Sequence, residues 1–244
     1  VRVLWLLRTG ETESAMQELD ELGLNGPAAA PELLWGVSLA YARAGAFRLS
    51  HELPRRRLTD WLTHWPVGSW QQAWELAFPR PFSEVVEREA SKNGVEVPLV
   101  YAVMREESAF DPAAVSIANA YGLMQLVVPT AKLVARGTAL PHDRDSLRRP
   151  GVNIALGTRA LYQLQKRFSE NPLLAIAAYN AGPGNARDWL SERPSADFDL
   201  WVEQIPFLET RRYVKRVLAS RATYAFLYGG DAARALLSLP LKVN

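Results

Sequence analysis

Apolar residues along this chain recur at the spacing of α-helices. Stripes of leucine and alanine run from Val1 onward, Gly23 and Gly26 interrupt them, and Pro31 opens a further segment. Nowhere do apolar and polar residues alternate over a run long enough for a convincing sheet. The pattern therefore predicts an all-α fold, with the polar stretch from Lys132 to Pro150 as a surface loop that leaves room for a small hairpin.

Two prolines around one residue, Pro79-Arg80-Pro81, predict a domain boundary, because they disfavour helix at that point. Residues 1–80 are predicted to form short helices, and the stretch Ala40–Gly45 is similar to the turn of a tetratricopeptide-type helix pair. Such pairs stack on neighbours, so this segment is expected to be solenoid-like or to serve as a docking collar. Residues 81–244 are expected to form a second domain.

Tryptophans cluster just before that boundary. Trp61 and Trp65, like Trp70 and Trp74, are four residues apart, so each pair is expected to share a helix face. Indole rings can stack on sugars, but large aromatic residues more often pack a core, and core packing is the expectation here.

The composition narrows the range of functions. With 244 residues, 48% hydrophobic and 22% charged, the chain is an ordinary globular one, and its net charge of +2 gives no argument for nucleic acid. The longest apolar runs are too short to span a membrane. Cysteine is absent, and His51, His64 and His142 are scattered and expected at the surface, so neither a metal nor another cofactor is implied. The given sequence begins at Val1 and shows no pattern of a secretion leader, so it is expected to be a fragment or a mature form.

Helices are predicted on both sides of Gly94. One runs from about Ser83 to Ser91 with its first serine as N-cap, and the next begins near Leu99, just after a proline. Asp111-Pro112 is expected to end the second helix as a turn rather than to supply a catalytic carboxylate. Further on, Asn153 is expected to cap another helix.

Glu106 and Glu107 lie near the end of the helix that begins at Leu99. At helical spacing each has apolar neighbours one turn earlier, so either could lie against the core. A carboxyl group in such a place loses hydration, which disfavours its charged form and retains the proton that a general acid needs. Spacing alone equally allows both to be solvated surface residues.

The residues around the glutamates resemble a known signature. Glu107–Pro112, then Ser116, then Gly122–Gln125, are similar to the first motif of the lysozyme-like soluble lytic murein transglycosylases. In that family the glutamate directly before the serine is the catalytic acid, which the resemblance assigns to Glu107. Glu106 then occupies a position where relatives often have glutamine.

Two positions depart from the family pattern. Asn119 stands where relatives usually have glycine, and asparagine is the residue that best tolerates the positive φ that glycine allows. Val127 stands where relatives often have a methionine that lines the groove, so one contact to the substrate is expected to differ.

Two further motifs extend the resemblance. Ala177–Gly184 ends a buried helix at a Gly-Pro-Gly break and matches the second motif of the family, in which the tyrosine, here Tyr179, lies beside the catalytic acid. Glu203–Val214 matches the third motif and opens a long helix. There Glu209 inherits a place in the active-site groove, and Tyr213 inherits a supporting role.

The resemblance implies a lysozyme-like catalytic domain over residues 81–244 that cleaves peptidoglycan. Glu107 would protonate the β-1,4 bond between N-acetylmuramic acid and N-acetylglucosamine and then, as a base, help to form a 1,6-anhydro product. Tyr179 would hold the Glu107 carboxyl. The implied substrate-binding residues are Ser116, Met124, Gln125, Tyr179, Asn180 and Glu209. The implied partners are glycan strands, and cell-wall proteins at the N-terminal helices, in a bacterial periplasm or cell envelope.

Two alternatives stay open from the sequence. A goose-type lysozyme would hydrolyse the same bond, but it would need a positioned water and usually a second acid. A non-catalytic cell-wall-binding scaffold has no need of a shielded acid, and the presence of Glu107, Gln125, Tyr179 and Glu209 argues against it.

Overall fold

The structure is a computed structural model that describes residues 2–24, 26, 28–194, 197–230 and 243. Helices account for most of these residues, and two short strands form an antiparallel hairpin. The predicted all-α class is confirmed. The outermost residues of the two predicted domains, Val1 and Asn244, lie outside the described residues.

Packing divides the chain into two compact units. The first comprises Val1–Pro81 together with Ala109–Asp111, and the second comprises Phe82–Ser108 and Pro112–Asn244. No helix in the described ranges is both long and apolar enough to cross a bilayer.

The first unit is a series of short helices. Leu7, Leu19, Leu34 and Tyr41 belong to its hydrophobic core. Its helices are α1 (Arg2–Arg8), α2 (Thr12–Glu21), α3 (Pro31–Arg43), α4 (Phe47–Arg56) and α5 (Gln71–Ala77), with 3-10 turns at Asp60–Thr63 and Gly68–Trp70. The tight turn between α3 and α4 contains Gly45 at φ 77°, so these two helices pack as an antiparallel pair.

Trp61 and Trp65, before the boundary, do not share a helix face as expected. Trp61 lies in a 3-10 turn and is 3% exposed, whereas Trp65 lies beyond that turn and is 77% exposed. Core packing is confirmed for Trp61, whose ring meets that of Trp74 edge-on with centroids 4.5 Å apart. The helical spacing failed as a guide because the chain leaves helical geometry between the two residues.

His51 was expected at the surface, and that expectation is wrong. It lies on the inward face of α4, fully buried, with its ring edge-on to Phe110 at a centroid distance of 5.4 Å. His64 is exposed as predicted.

The second unit holds the three motifs, apart from Ala109–Asp111 of the first motif, which belong to the first unit. α7 lies against α6 and α13, and α10 contacts α9, α11 and α13. Its helices are α6 (Ser83–Asn93), α7 (Val97–Ser108), α8 (Val128–Val134), α9 (Pro150–Arg167), α10 (Pro172–Ala181), α11 (Pro183–Glu192), α12 (Phe198–Glu203) and α13 (Leu208–Tyr228), and its strands are β1 (Ala120–Tyr121) and β2 (Leu126–Val127).

Three local expectations in this unit are corrected. The hairpin lies at β1 and β2, on either side of the motif residues Gly122–Gln125, and not between Lys132 and Pro150. Ser83 is the first residue of α6 and makes no capping hydrogen bond, because Phe82 occupies the cap position. Asn153 lies inside α9 and is buried, so it caps no helix.

Candidate active site

α7 is enclosed almost to its end. Its residues from Leu99 to Met104 are buried because α6 and α13 pack against the helix. The two glutamates follow in its last turn, where their side chains meet different partners. This difference decides between the alternatives that periodicity had left open.

The Glu106 side chain is 1% exposed and belongs to a charged cluster. Its carboxylate accepts hydrogen bonds from Arg105 Nη1 at 2.6 Å, from Arg216 Nε at 2.9 Å and from Ser220 Oγ at 3.1 Å. Two guanidinium groups at such distances favour the ionised carboxylate. Glu106 is therefore a structural ion-pair partner that joins α7 to α13.

Glu107 has a different environment. The Tyr213 hydroxyl donates a hydrogen bond to Glu107 Oε1 at 2.7 Å. Burial raises the pKa of the Glu107 carboxyl from 4.5 to about 7; the negative charges of Glu106 and Glu209 also raise it, whereas the Tyr213 hydrogen bond and the charge of Arg216 lower it. A carboxyl group with a pKa near neutrality can give up a proton and take it back, which suits a general acid and base.

Two tyrosines lie beside this carboxyl, Tyr213 from α13 and Tyr179 from α10. Burial raises the pKa of both phenols well above 10, and the nearby charge of Glu107 raises it further, so both hydroxyls stay protonated donors. Tyr179 donates to the carbonyl of Met124 at 2.8 Å. The hydrogen bond to Glu107 that the sequence suggested for Tyr179 is made by Tyr213.

Ser116 holds the loop that leads into β1. Its backbone N–H donates to the Ala120 carbonyl at 3.0 Å, and its hydroxyl accepts from the Ala120 N–H at 3.1 Å. Within this loop Asn119 has φ 56°, so the prediction that asparagine replaces glycine at a positive φ is confirmed. The Ser116 hydroxyl can still donate its hydrogen to a ligand.

Gln125 ends the turn between the two strands at φ 46°. Its amide nitrogen donates to the Gly122 carbonyl at 2.8 Å and to the Ala114 carbonyl at 3.2 Å, which leaves the amide oxygen as its remaining acceptor. Gly122 has φ 75°, and a Cβ there would lie 2.3 Å from the Leu147 carbonyl oxygen, so only glycine fits.

Met124 lies in the core, away from any ligand-accessible surface. Its side chain is 0% exposed and packs against Gly157 of α9, where an added Cβ would lie 2.3 Å from the Met124 sulfur. Its N–H donates to Asn153 Oδ1 at 2.7 Å, and Asn153 Nδ2 donates to the carbonyls of Tyr121 and Leu147 at 2.8 and 2.7 Å. The buried Asn153 amide and the Met124 side chain therefore hold the hairpin against α9.

Asn180 and Glu209 lie where α10 and α13 meet. The Thr210 hydroxyl donates to Asn180 Oδ1 at 2.6 Å, which leaves the amide hydrogens of Asn180 directed elsewhere. Glu209, in the first turn of α13, is exposed, and its charge acts on Glu107. The second unit thus brings Glu107, Tyr179, Tyr213 and Glu209 into electrostatic range of one another.

Several residues that form this site were not identified from the sequence. Asn153 holds the backbone of the hairpin, Thr210 holds the Asn180 side chain, and Arg216 and Ser220 hold the Glu106 side chain. A signal was present for part of this set, because Tyr213, Arg216 and Ser220 recur at helical spacing and therefore face one side of α13. The described residues contain no cluster of three His, Cys, Asp or Glu side chains that could bind a metal ion.

The fold and the site together define a lysozyme-like helical domain with a buried, protonatable glutamate that is hydrogen-bonded to a tyrosine. Residues 84–202 match the model of the transglycosylase SLT domain, and residues 204–232 match that of the soluble lytic transglycosylase helical domain. Residues 84–202 therefore belong to the transglycosylase SLT domain family. The second match falls mainly on α13.

Proteins named lytic murein transglycosylases are similar in sequence to this chain. The soluble lytic murein transglycosylase of Escherichia coli K12 is 39% identical over 160 residues, which cover 64% of this chain and 24% of that protein. Membrane-bound lytic murein transglycosylase C of Actinobacillus pleuropneumoniae is 34% identical over 167 residues, covering 59% of this chain and 46% of that protein. The chain thus spans about a quarter of the length of its soluble relatives.

Solved structures of the same class superpose on nearly the whole chain. The lytic transglycosylase Slt of Pseudomonas aeruginosa, an inactive mutant with one glutamate changed to glutamine, gives a TM-score of 0.76 at 29% identity and covers 99% of this chain and 36% of that one. The 70 kDa soluble lytic transglycosylase of Escherichia coli gives a TM-score of 0.76 at 28% identity and covers 95% of this chain and 38% of that one.

Proposed function

We propose that this chain is the catalytic part of a lytic murein transglycosylase that acts on bacterial peptidoglycan in the periplasm or cell envelope. The observation that carries the proposal is the environment of Glu107, whose buried carboxyl has a pKa raised to about 7 and a tyrosine hydroxyl on one oxygen. The names of the relatives support peptidoglycan as the substrate. The inactive glutamine mutant of the Pseudomonas protein supports an activity that depends on one glutamate.

In the proposed first step, Glu107 gives its proton to the oxygen of the β-1,4 bond that leaves N-acetylmuramic acid. The bond between that oxygen and the anomeric carbon breaks, and N-acetylglucosamine departs with the proton. The acetamido oxygen of the muramic residue bonds to the anomeric carbon and stabilises its positive charge. This neighbouring group removes the need for a second protein carboxylate as nucleophile.

In the proposed second step, the Glu107 carboxylate takes the proton of the muramic C6 hydroxyl. The C6 oxygen bonds to the anomeric carbon and displaces the acetamido oxygen, which gives the 1,6-anhydro ring and restores the Glu107 proton. No water is consumed. The hydrogen bond from Tyr213 favours the carboxylate formed between the steps, while burial favours the protonated form at the start.

Three polar groups are proposed to orient the sugar. The Gln125 amide oxygen, the Asn180 amide nitrogen and the Ser116 hydroxyl have capacity beyond the contacts they make in the protein. Glu209 would accept a hydrogen bond from a sugar hydroxyl, or its charge would raise the pKa of Glu107. Met124 would act through its backbone and its packing against Gly157, because its side chain has no exposed surface.

The proposal is tested by digesting purified peptidoglycan and weighing the fragments. We expect muropeptides with 1,6-anhydromuramic ends and a loss of about 10²- to 10⁴-fold in rate for Glu107→Gln, the typical contribution of a positioned acid. Glu106→Gln is the matched control; it keeps an acceptor for Arg105 and Ser220 and is expected to remain active.

Other outcomes assign the chain differently. Fragments heavier by one water, with a reducing muramic end, would identify a hydrolase of the goose-type lysozyme kind. Binding to peptidoglycan without cleavage would identify a scaffold. Loss of activity in Glu106→Gln but not in Glu107→Gln would show that the acid has been assigned to the wrong residue.

A further inference from the structure

An open cleft of about 470 Å³ lies within the first unit, and all of its lining residues belong to that unit. Aliphatic side chains of α3 and α5 form part of its lining. Two indole rings, Trp35 and Trp70, line it together with four polar side chains, those of Glu32, Asp60, Ser69 and Gln72. Its size lies within the range of roughly 300–1,000 Å³ that is usual for small-ligand sites.

The tryptophans of this unit differ in how their N–H groups are used. The indole N–H groups of Trp61, which is buried, and of Trp74 donate to backbone carbonyls at 3.1 and 2.9 Å. Trp35 and Trp70 are partly exposed, and their N–H groups have no acceptor among the described residues. Trp70 is also held in place, because His64 stacks on it with centroids 4.0 Å apart and planes 7° apart.

The four polar side chains of the cleft are equally available. No hydrogen bond or ion pair within the described ranges engages the side chains of Glu32, Asp60, Ser69 or Gln72. Two carboxylates, an amide and a hydroxyl therefore face the cleft together with two indole N–H donors. This set combines acceptors and donors around apolar ring faces.

We propose that this cleft is a second saccharide-binding site, which holds a segment of N-acetylated glycan apart from the bond being cleaved. A pyranose presents an apolar C–H face, which can stack on an indole ring. It carries hydroxyls at its edges, which can donate hydrogen bonds to carboxylate and amide oxygens. An indole N–H can donate to an acetamido carbonyl. The choice of glycan as ligand rests on the proposed function, since a strand long enough to be cleaved is long enough to be bound elsewhere.

A cationic ligand fits this set of groups less well. Two carboxylates would attract an ammonium group, and indole faces would add to that attraction. The indole N–H donors of Trp35 and Trp70 would repel it, however, and the Gln72 amide would be only half used. The neutral sugar is the ligand that uses the donors as well as the acceptors.

The test uses the Glu107→Gln protein, so that no cleavage occurs, with its tryptophans labelled with ¹⁵N. The probe is the neutral tetramer of β-1,4-linked N-acetylglucosamine. We expect the indole N–H signals of Trp35 and Trp70 to shift in a saturable way. The signal of Trp5, an exposed tryptophan of α1 that does not line the cleft, is expected to stay in place.

Variants make the test specific. Trp70→Ala is expected to weaken the binding reported by Trp35 about tenfold, the order of one aromatic contact. Gln72→Ala, at an exposed position of α5, is expected to weaken binding of the tetramer without disturbing the fold. Circular dichroism would check that the fold is retained. Signals of Trp35 and Trp70 that do not move at millimolar tetramer, or that move only with Nα-acetyl-lysinamide, would overturn the proposal.

Its failure can be told apart from failure of the proposed function. Unshifted indoles in a chain that still releases anhydromuropeptides would remove the second site alone. Shifted indoles in a chain that releases none would leave the second site and remove the catalytic assignment.

Discussion

Glu106 and Glu107 are adjacent in the chain and yet occupy opposite electrostatic environments. Glu106 is bound by Arg105 and Arg216, whereas Glu107 accepts a hydrogen bond from a neutral phenol, that of Tyr213. Ion pairing favours the charged form of the first, and burial favours the protonated form of the second. This difference is what the proposed assignment of Glu107, and not Glu106, as the general acid requires.

The hydrogen bond from the Tyr213 hydroxyl to Glu107 can be removed by one substitution. Because that bond lowers the pKa of Glu107, Tyr213→Phe is expected to raise that pKa and to move the alkaline limb of the kcat/KM profile to higher pH. Tyr179→Phe is the matched control, since the Tyr179 hydroxyl binds a backbone carbonyl instead. An alkaline limb that moves equally in both variants, or moves to lower pH in Tyr213→Phe, would contradict the assignment.

At the scale of elements, the first motif is fixed by its contact with α9. Met124 fills the space above Gly157, and Asn153 bonds three backbone groups around the hairpin. The hairpin in turn carries Gln125 and receives the Tyr179 hydroxyl on the Met124 carbonyl. Packing between two elements therefore positions side chains that are expected to meet the sugar.

The position of Gly157 leaves no room for a side chain. A methyl group there would overlap the sulfur and Cβ of Met124, so Gly157→Ala is expected to cost about 1–3 kcal/mol through overpacking, despite the better helix propensity of alanine. Gly151→Ala, in the same helix with open space around its Cβ position, is the control and is expected to be neutral or stabilising. Chemical denaturation measures both, and equal stability of the two variants would contradict this packing.

The sequence predicted elements better than it predicted contacts. α6, α7 and α13 occur where glycine, proline and apolar spacing placed them, and Asn119 has the positive φ inferred from its residue type. Contacts such as those of Asn153 join segments far apart in the chain, so local spacing contains no information about them. Tyr179 and Tyr213 could not be told apart for the same reason, because which phenol reaches Glu107 depends on how α10 and α13 pack.

At the scale of the whole molecule, the raised pKa of Glu107 becomes a pH dependence of stability. Its proton contributes stability that is fully present below pH 4.5 and lost as the pH rises to about 7, because the folded state retains a proton that the unfolded state releases. Glu107→Gln removes this dependence. Its unfolding free energy relative to the wild type is expected to rise by roughly 3 kcal/mol between pH 4 and pH 8.

Denaturation at several pH values measures this difference, in which the other titrating groups largely cancel. A difference that stays constant from pH 4 to pH 8 would mean that Glu107 titrates normally in the folded protein. Glu106→Gln keeps the Glu107 carboxyl and removes only one of the charges that raise its pKa, so it is expected to reduce the pH dependence and not to abolish it.

The most direct measurement is the titration of the Glu107 carboxyl itself. In protein labelled with ¹³C at the glutamate carboxyl carbons, its signal is identified as the one missing from the Glu107→Gln spectrum, and its shift is followed against pH. We expect a midpoint near pH 7. A midpoint near the ordinary glutamate value of about 4.3 would contradict it, because the carboxyl would then be ionised at neutral pH with no proton to give.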